Sequence, residues 1–230
     1  MSMSRPHILA PAFLMAILIA ATTVSASPVT MQMDTVFKGD EHAPTGSAPW
    51  IQVMFADTDT VGSVAMTINT FGLQDSEFVS KMYFNFDPAL DGRKLKFTEI
   101  DQSGTFKSPS FKFDEDKKKA GPAKGFDIEL GFKTKNSERF GVGDSISYII
   151  TGDPVLTAAS FSFENAMDDP DYEFFASAHI QSIGQDYSAR IGATDVTDVP
   201  EPATMMLLAI GGTGMIAYRR KRKTAKVKID

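Results

Sequence analysis

The chain has 230 residues, 43% of them hydrophobic, with 23 Lys and Arg against 29 Asp and Glu and no cysteine. This composition excludes a disordered tail as its main content, and it excludes disulfides, thiolate metal sites and cysteine nucleophiles. Residues 27–198 alone carry 15 Lys and Arg against 27 Asp and Glu, a net charge of −12, so the domain as a whole has no electrostatic ground for binding nucleic acid or an anionic bilayer.

In chain order, residues 1–26 come first. A single charge at Arg5, an apolar run from Ile8 to Val24 and the small residues Ser25 and Ala26 predict a secretory signal peptide, cut after Ala26. The working domain is then Ser27 to Asp198, 172 residues, and without disulfides its own core must hold it. At this size about 70% of the unfolded surface is buried on folding, which makes that feasible.

Ser27 to Pro49, with Gly39, Pro44, Gly46 and Pro49, reads as an irregular lead-in or an edge strand. From Trp50 onward the apolar residues recur in period two, the signature of half-buried strands. The alternation runs through Ile51, Val53 and Phe55, then Val64, Met66 and Ile68, then Met82, Phe84 and Phe86. It is clearest in "GFDIELGFKT", where Phe126, Ile128, Leu130 and Phe132 are predicted to point inward. Phe161 and Phe163, and the segments "KLKFTEI", "SPSFKF", "SISYIITG", "EFFASAHIQSI" and "SARIGA", give further strands. "LQDSEFVSK" offers a helical turn capped by Asp75 or Ser76, and Asp114 to Gly125 reads as a solvated hairpin loop. Short strands separated by Gly, Pro and Asp turns predict an all-β fold, an antiparallel β-sandwich of jelly-roll-like form.

Little in the domain points to catalysis. Gly143-Asp144-Ser145 is similar to the nucleophile block of Gly-Asp-Ser hydrolases, but the Asp-x-x-His such enzymes need is missing, since Ala176 stands three before His179. Asp144 is read as a turn residue. His179 is expected on the wetter strand face with Phe175, Ser177 and Gln181, hydrogen-bonded across the sheet, with ligand contact as its second reading. Asp168, Asp169 and Asp171, with Glu164 and Glu173 nearby, are candidate calcium ligands, although a solvated acidic loop accounts for them more simply. Trp50, Tyr148, Tyr172 and Phe175 could stack on sugars, with packing as the alternative.

The C-terminal element, residues 199–230, opens on Val199-Pro200-Glu201-Pro202-Ala203-Thr204. A 16-residue apolar run from Ala203 to Tyr218 follows, with Arg219, Arg220, Lys221, Arg222 and Lys223 directly after it. As a helix, residues 203–218 would reach about 24 Å, short of the roughly 30 Å hydrocarbon core, and the basic cluster places its far side in the cytoplasm.

This order of acidic Pro-Glu-Pro, short glycine-containing apolar segment and Arg-rich cluster resembles the PEP-CTERM sorting signal of Gram-negative bacteria. Tyr83-Phe84-Asn85-Phe86-Asp87 and "AHIQSIG" are similar to features of exported proteins carrying that signal, with Ser188-Ala189 where Ser-Gly or Ser-Ser is usual. The resemblance implies recognition at Val199, Pro200, Glu201 and Pro202 by an exosortase, after delivery by the secretion machinery and transient residence in the inner membrane. It also implies an exopolysaccharide matrix or the cell surface as destination. The expected function is therefore a non-enzymatic structural or adhesive exported protein, with no cofactor and no nucleic-acid partner. A calcium-assisted carbohydrate-binding module is the alternative, and a secreted hydrolase the third reading.

Overall fold

The computed structural model describes residues 27–39, 42–167, 169–184 and 186–198. Thirteen strands form two antiparallel sheets, joined by turns and single 3₁₀ turns, and no α-helix occurs among the described residues. The six-stranded sheet runs β13(Val196–Asp198), β1(Val29–Met33), β3(Ile51–Asp57), β4(Ser63–Asn69), β10(Ser145–Thr151), β6(Lys96–Ser103). The seven-stranded sheet runs β2(Thr35–Lys38), β12(Tyr187–Ala193), β11(Ala176–Ile183), β5(Phe78–Phe84), β8(Ala123–Gly131), β7(Ser110–Ala120), with β9(Phe140–Gly141) also pairing β5.

The period-two pattern works as predicted in the strands that face the core. Ile51, Val53 and Phe55, then Val64, Met66 and Ile68, then Ile146 and Ile150 line the inner face of the six-stranded sheet, fully or almost fully buried. Met82, Phe84, Ile128, Leu130 and Ile180 answer them from the other sheet. Phe55 meets Phe84 edge to face across the interface, with ring centroids 5.9 Å apart, and Phe161 stacks on Phe55 at 4.3 Å. Burial of this kind stabilises by about 25 cal/mol per Å² of apolar surface, and it carries the fold in place of disulfides.

The two-sheet antiparallel sandwich matches expectation. The jelly roll is matched only at that coarser level, because its eight strands in two Greek keys give way here to thirteen strands in the orders above. Four local expectations of secondary structure are corrected. The lead-in supplies β1, which lies inside the six-stranded sheet between β13 and β3, as well as the edge strand β2. "LQDSEFVSK" forms a turn and then enters β5, because Asp75 adopts a positive φ of 55° that stops a helix. Phe161 ends a 3₁₀ turn, Ala158–Phe161, rather than lying in a strand.

The fourth correction concerns Asp114 to Gly125, which is not a loop. β7 runs on to Ala120, and Gly121-Pro122 alone closes the hairpin, Gly121 taking a φ of 70°. The register breaks on the way: Phe113 faces Ile128, but Lys118 faces Phe126, so residues 114–117 bulge opposite Asp127. The buried Asp127 carboxylate fills the bulge, Oδ2 accepting from Phe86 N–H at 2.9 Å and Oδ1 from Asp116 N–H at 2.8 Å. Burial raises its pKa, and those two N–H donors oppose the rise. Phe126, expected to point into the main core, packs instead beside Tyr83 with ring centroids 5.7 Å apart. There it joins a second apolar cluster with Tyr83, Ala120, Ala123 and Phe174, while Ile128, Leu130 and Phe132 stay in the main core.

Candidate functional site

Two places bear on function, and the first is the end of the described chain. Val196 and Thr197 are β-branched and continue the sheet as β13, an edge strand on β1. The register sets Val29 opposite Asp198, Thr30 opposite Thr197 and Met31 opposite Val196. Thr197 Oγ1 donates to the Thr30 carbonyl at 3.4 Å, and half-buried Val196 packs on the core. Val199 is the next residue, so no linker separates the sandwich from the Pro-Glu-Pro segment. Val199, Pro200, Glu201, Pro202, the apolar run 203–218 and the cluster Arg219, Arg220, Lys221, Arg222 and Lys223 lie outside the described residues, as do residues 1–26. No helix among the described residues is long and apolar enough to cross a membrane.

The second place is the outer face of the seven-stranded sheet around His179. β11 pairs β5 with His179 opposite Lys81 and Ile180 opposite Val79, which leaves Ser80 as the extra residue of a β-bulge. Ser80 Oγ donates to the His179 carbonyl at 3.1 Å and lies 3.0 Å from His179 Nδ1. Burial, then the positive charges of Arg190, Lys81 and Lys38, lower the His179 pKa to about 4, so the ring is neutral at pH 7. The cross-sheet hydrogen bond is the predicted one. The cations around the ring were not singled out in the sequence, because Lys38, Lys81 and Arg190 come from three separate strands, β2, β5 and β12.

Other candidates fall apart from these. Asp144 is the turn residue expected: its Oδ2 accepts from Gly141 N–H at 2.7 Å, and its carbonyl accepts from Thr70 N–H. Ser145 then begins β10 in the six-stranded sheet, whereas His179 lies in the other sheet. Asp168 lies outside the described residues. Asp169 caps the 3₁₀ turn Pro170–Tyr172 by accepting from Asp171 N–H at 3.1 Å. Asp87, Glu115, Asp116, Asp127 and Glu164 line a separate cavity of about 210 Å³ with Phe86, Phe113 and Phe163. Among the described residues, no group of three His, Asp or Glu is placed to hold a metal ion. Trp50 and Tyr148 are core residues, the indole N–H of Trp50 donating to the Gly46 carbonyl at 2.8 Å.

No curated protein and no solved structure matches the chain. One family model does, described as the PEP-CTERM protein-sorting motif, over residues 198–223. Its match begins on the last residue of β13 and runs through the apolar segment to Lys223, the last residue of the basic cluster. The chain therefore carries a PEP-CTERM protein-sorting motif at its C-terminal end, and that motif implies export and sorting by exosortase from a membrane-anchored precursor.

Proposed function

We propose that the chain is a non-enzymatic structural or adhesive protein, carried on a β-sandwich and sorted to the cell surface or the extracellular polysaccharide matrix. One observation carries this reading: the sorting motif starts where β13 ends, so the folded cargo and its address are joined directly. In this reading Val199, Pro200, Glu201 and Pro202 are what exosortase recognises. Proline has no backbone N–H to donate to a neighbouring strand, and it biases the residue before it away from helix, which suits a segment that an enzyme must reach. Arg219 to Lys223 keep the far side of the signal in the cytoplasm until it is processed.

Intact-mass measurement on the chain isolated from its native host, combined with fractionation of the culture, tests the proposal. Processing predicts a mass beginning at Ser27 and ending between Val199 and Pro202, with the product in the surface or matrix fraction. A product ending at Asp230 and confined to the inner membrane would overturn it.

A further inference from the structure

A concentration of positive charge lies on the outer face of the seven-stranded sheet in this acidic domain. A groove of about 600 Å³ is lined there by Lys81, Lys112, Lys119, Lys133 and Arg190, with Glu129 as its one carboxylate. With His179 neutral at pH 7, the groove carries four net positive charges, although residues 27–198 together carry −12. Such a reversal is not expected of a surface that serves only solubility.

The groove is shaped by the fold. Beyond the Asp127 bulge, Ala120 and Ala123 of the β7–β8 hairpin lie against Tyr83 on the outer face of the sheet. At the hairpin turn Gly121 meets Arg190 so closely that a Cβ there would stand 2.6 Å from the guanidinium Nε. Arg190 Nη1 is buried with no hydrogen-bond partner among the described residues. Glu129 holds two of the lysines in place, at 3.2 Å from Lys81 Nζ and 3.7 Å from Lys112 Nζ. Ser110, Thr134 and Gln181 add hydroxyl and amide groups to the lining.

We infer that this groove binds an acidic polysaccharide, its sugar carboxylates meeting the lysines and Arg190 and its hydroxyls meeting Ser110, Thr134 and Gln181. The volume lies within the roughly 300–1,000 Å³ of ligand sites. Of the aromatic rings lining it, Tyr83 and Phe132 are both buried, so the groove lacks the exposed stacking platform that single-stranded nucleic acid uses. The inference rests on the matrix reading above, since that reading supplies the compartment, and it names the ligand class.

The test uses the full chain purified in detergent, run by affinity electrophoresis through polygalacturonate, neutral dextran or oligothymidylate. Retardation by polygalacturonate at low salt is expected, lost as ionic strength rises and absent with dextran. Lys112→Gln with Lys133→Gln, both on exposed side chains, should weaken it about tenfold while the melting temperature holds. Lys94→Gln with Lys96→Gln, which removes equal charge beside the six-stranded sheet, should leave it unchanged. No retardation by polygalacturonate, equal loss in both double variants, or tighter binding of oligothymidylate would each overturn the inference. The parent chain's choice between polygalacturonate and dextran does not depend on how the variants fold. A chain that is correctly processed and found in the matrix but ignores polygalacturonate would sink this inference alone.

Discussion

His179 shows how one side chain reports the field around it. Its ring is kept neutral by burial and by Arg190, Lys81 and Lys38, with a pKa near 4 against about 6.5 in an unfolded chain. Between those values the unfolded chain binds more protons than the folded one, so this group's contribution to stability is complete above pH 6.5 and is lost as pH falls towards 4. Solvent screening of a half-exposed ring reduces the effect to about 1–2 kcal/mol. Urea denaturation of the parent and of His179→Gln should therefore show the parent losing that much more stability between pH 6.5 and 4. Parallel pH profiles would mean that the ring's pKa is not lowered in the folded domain. The face on which His179 stands was legible from alternation along β11. Its neighbours were not, since Lys38, Lys81 and Arg190 are far apart in the chain and only pairing among β2, β12, β11 and β5 assembles them.

Strand by strand, hydrophobic alternation was enough to place Ile51, Val53, Phe55, Val64, Met66, Ile68, Ile128 and Leu130 in the core. It failed where a bulge changes the count. Phe126 and Ile128 share a face in a regular strand, but here the ladder is interrupted at Asp127 and the two pack into different clusters. Nothing local in "FDIEL" announces this, because Asp127 reads as a wet-face residue until its two backbone donors are known. The charged run Asp114 to Lys119 hid a strand for a related reason: one face is solvated, and the hairpin closes in two residues that the run itself obscures. Asp127→Ala removes the acceptors of two backbone N–H groups at once and should cost about 2–4 kcal/mol, while Asp127→Asn, which keeps one acceptor, should cost about half as much. Chemical denaturation of the two variants reads the difference, and an unchanged midpoint for the alanine variant would mean that the carboxylate does not hold the bulge.

For the whole molecule, the pairing of β13 with β1 decides which end of the sandwich faces the sorting signal. Residues before Val29 and after Asp198 leave from the same end of the six-stranded sheet. β13 is short, yet it closes the edge of β1 and seats Val196 against the core. A chain ending at Asp195 should lose about 1–3 kcal/mol relative to one ending at Pro202, and it should self-associate through the bared edge of β1. Thermal melts and sedimentation at several concentrations test this, and equal behaviour of the two chains would mean that β13 is an ornament of the sheet. The tripartite signal was legible because its order and composition need no tertiary contact, whereas its direct junction with a strand appears only once β1 and β13 are seen paired. That junction has a mechanical consequence. A domain held through Val199 and dragged along the sheet is loaded down the axis of β13, and the hydrogen bonds to β1 lie across that axis. They share the pull and must give way together, so three residue pairs resist a drag along the strand, whereas a pull perpendicular to it would open them one at a time.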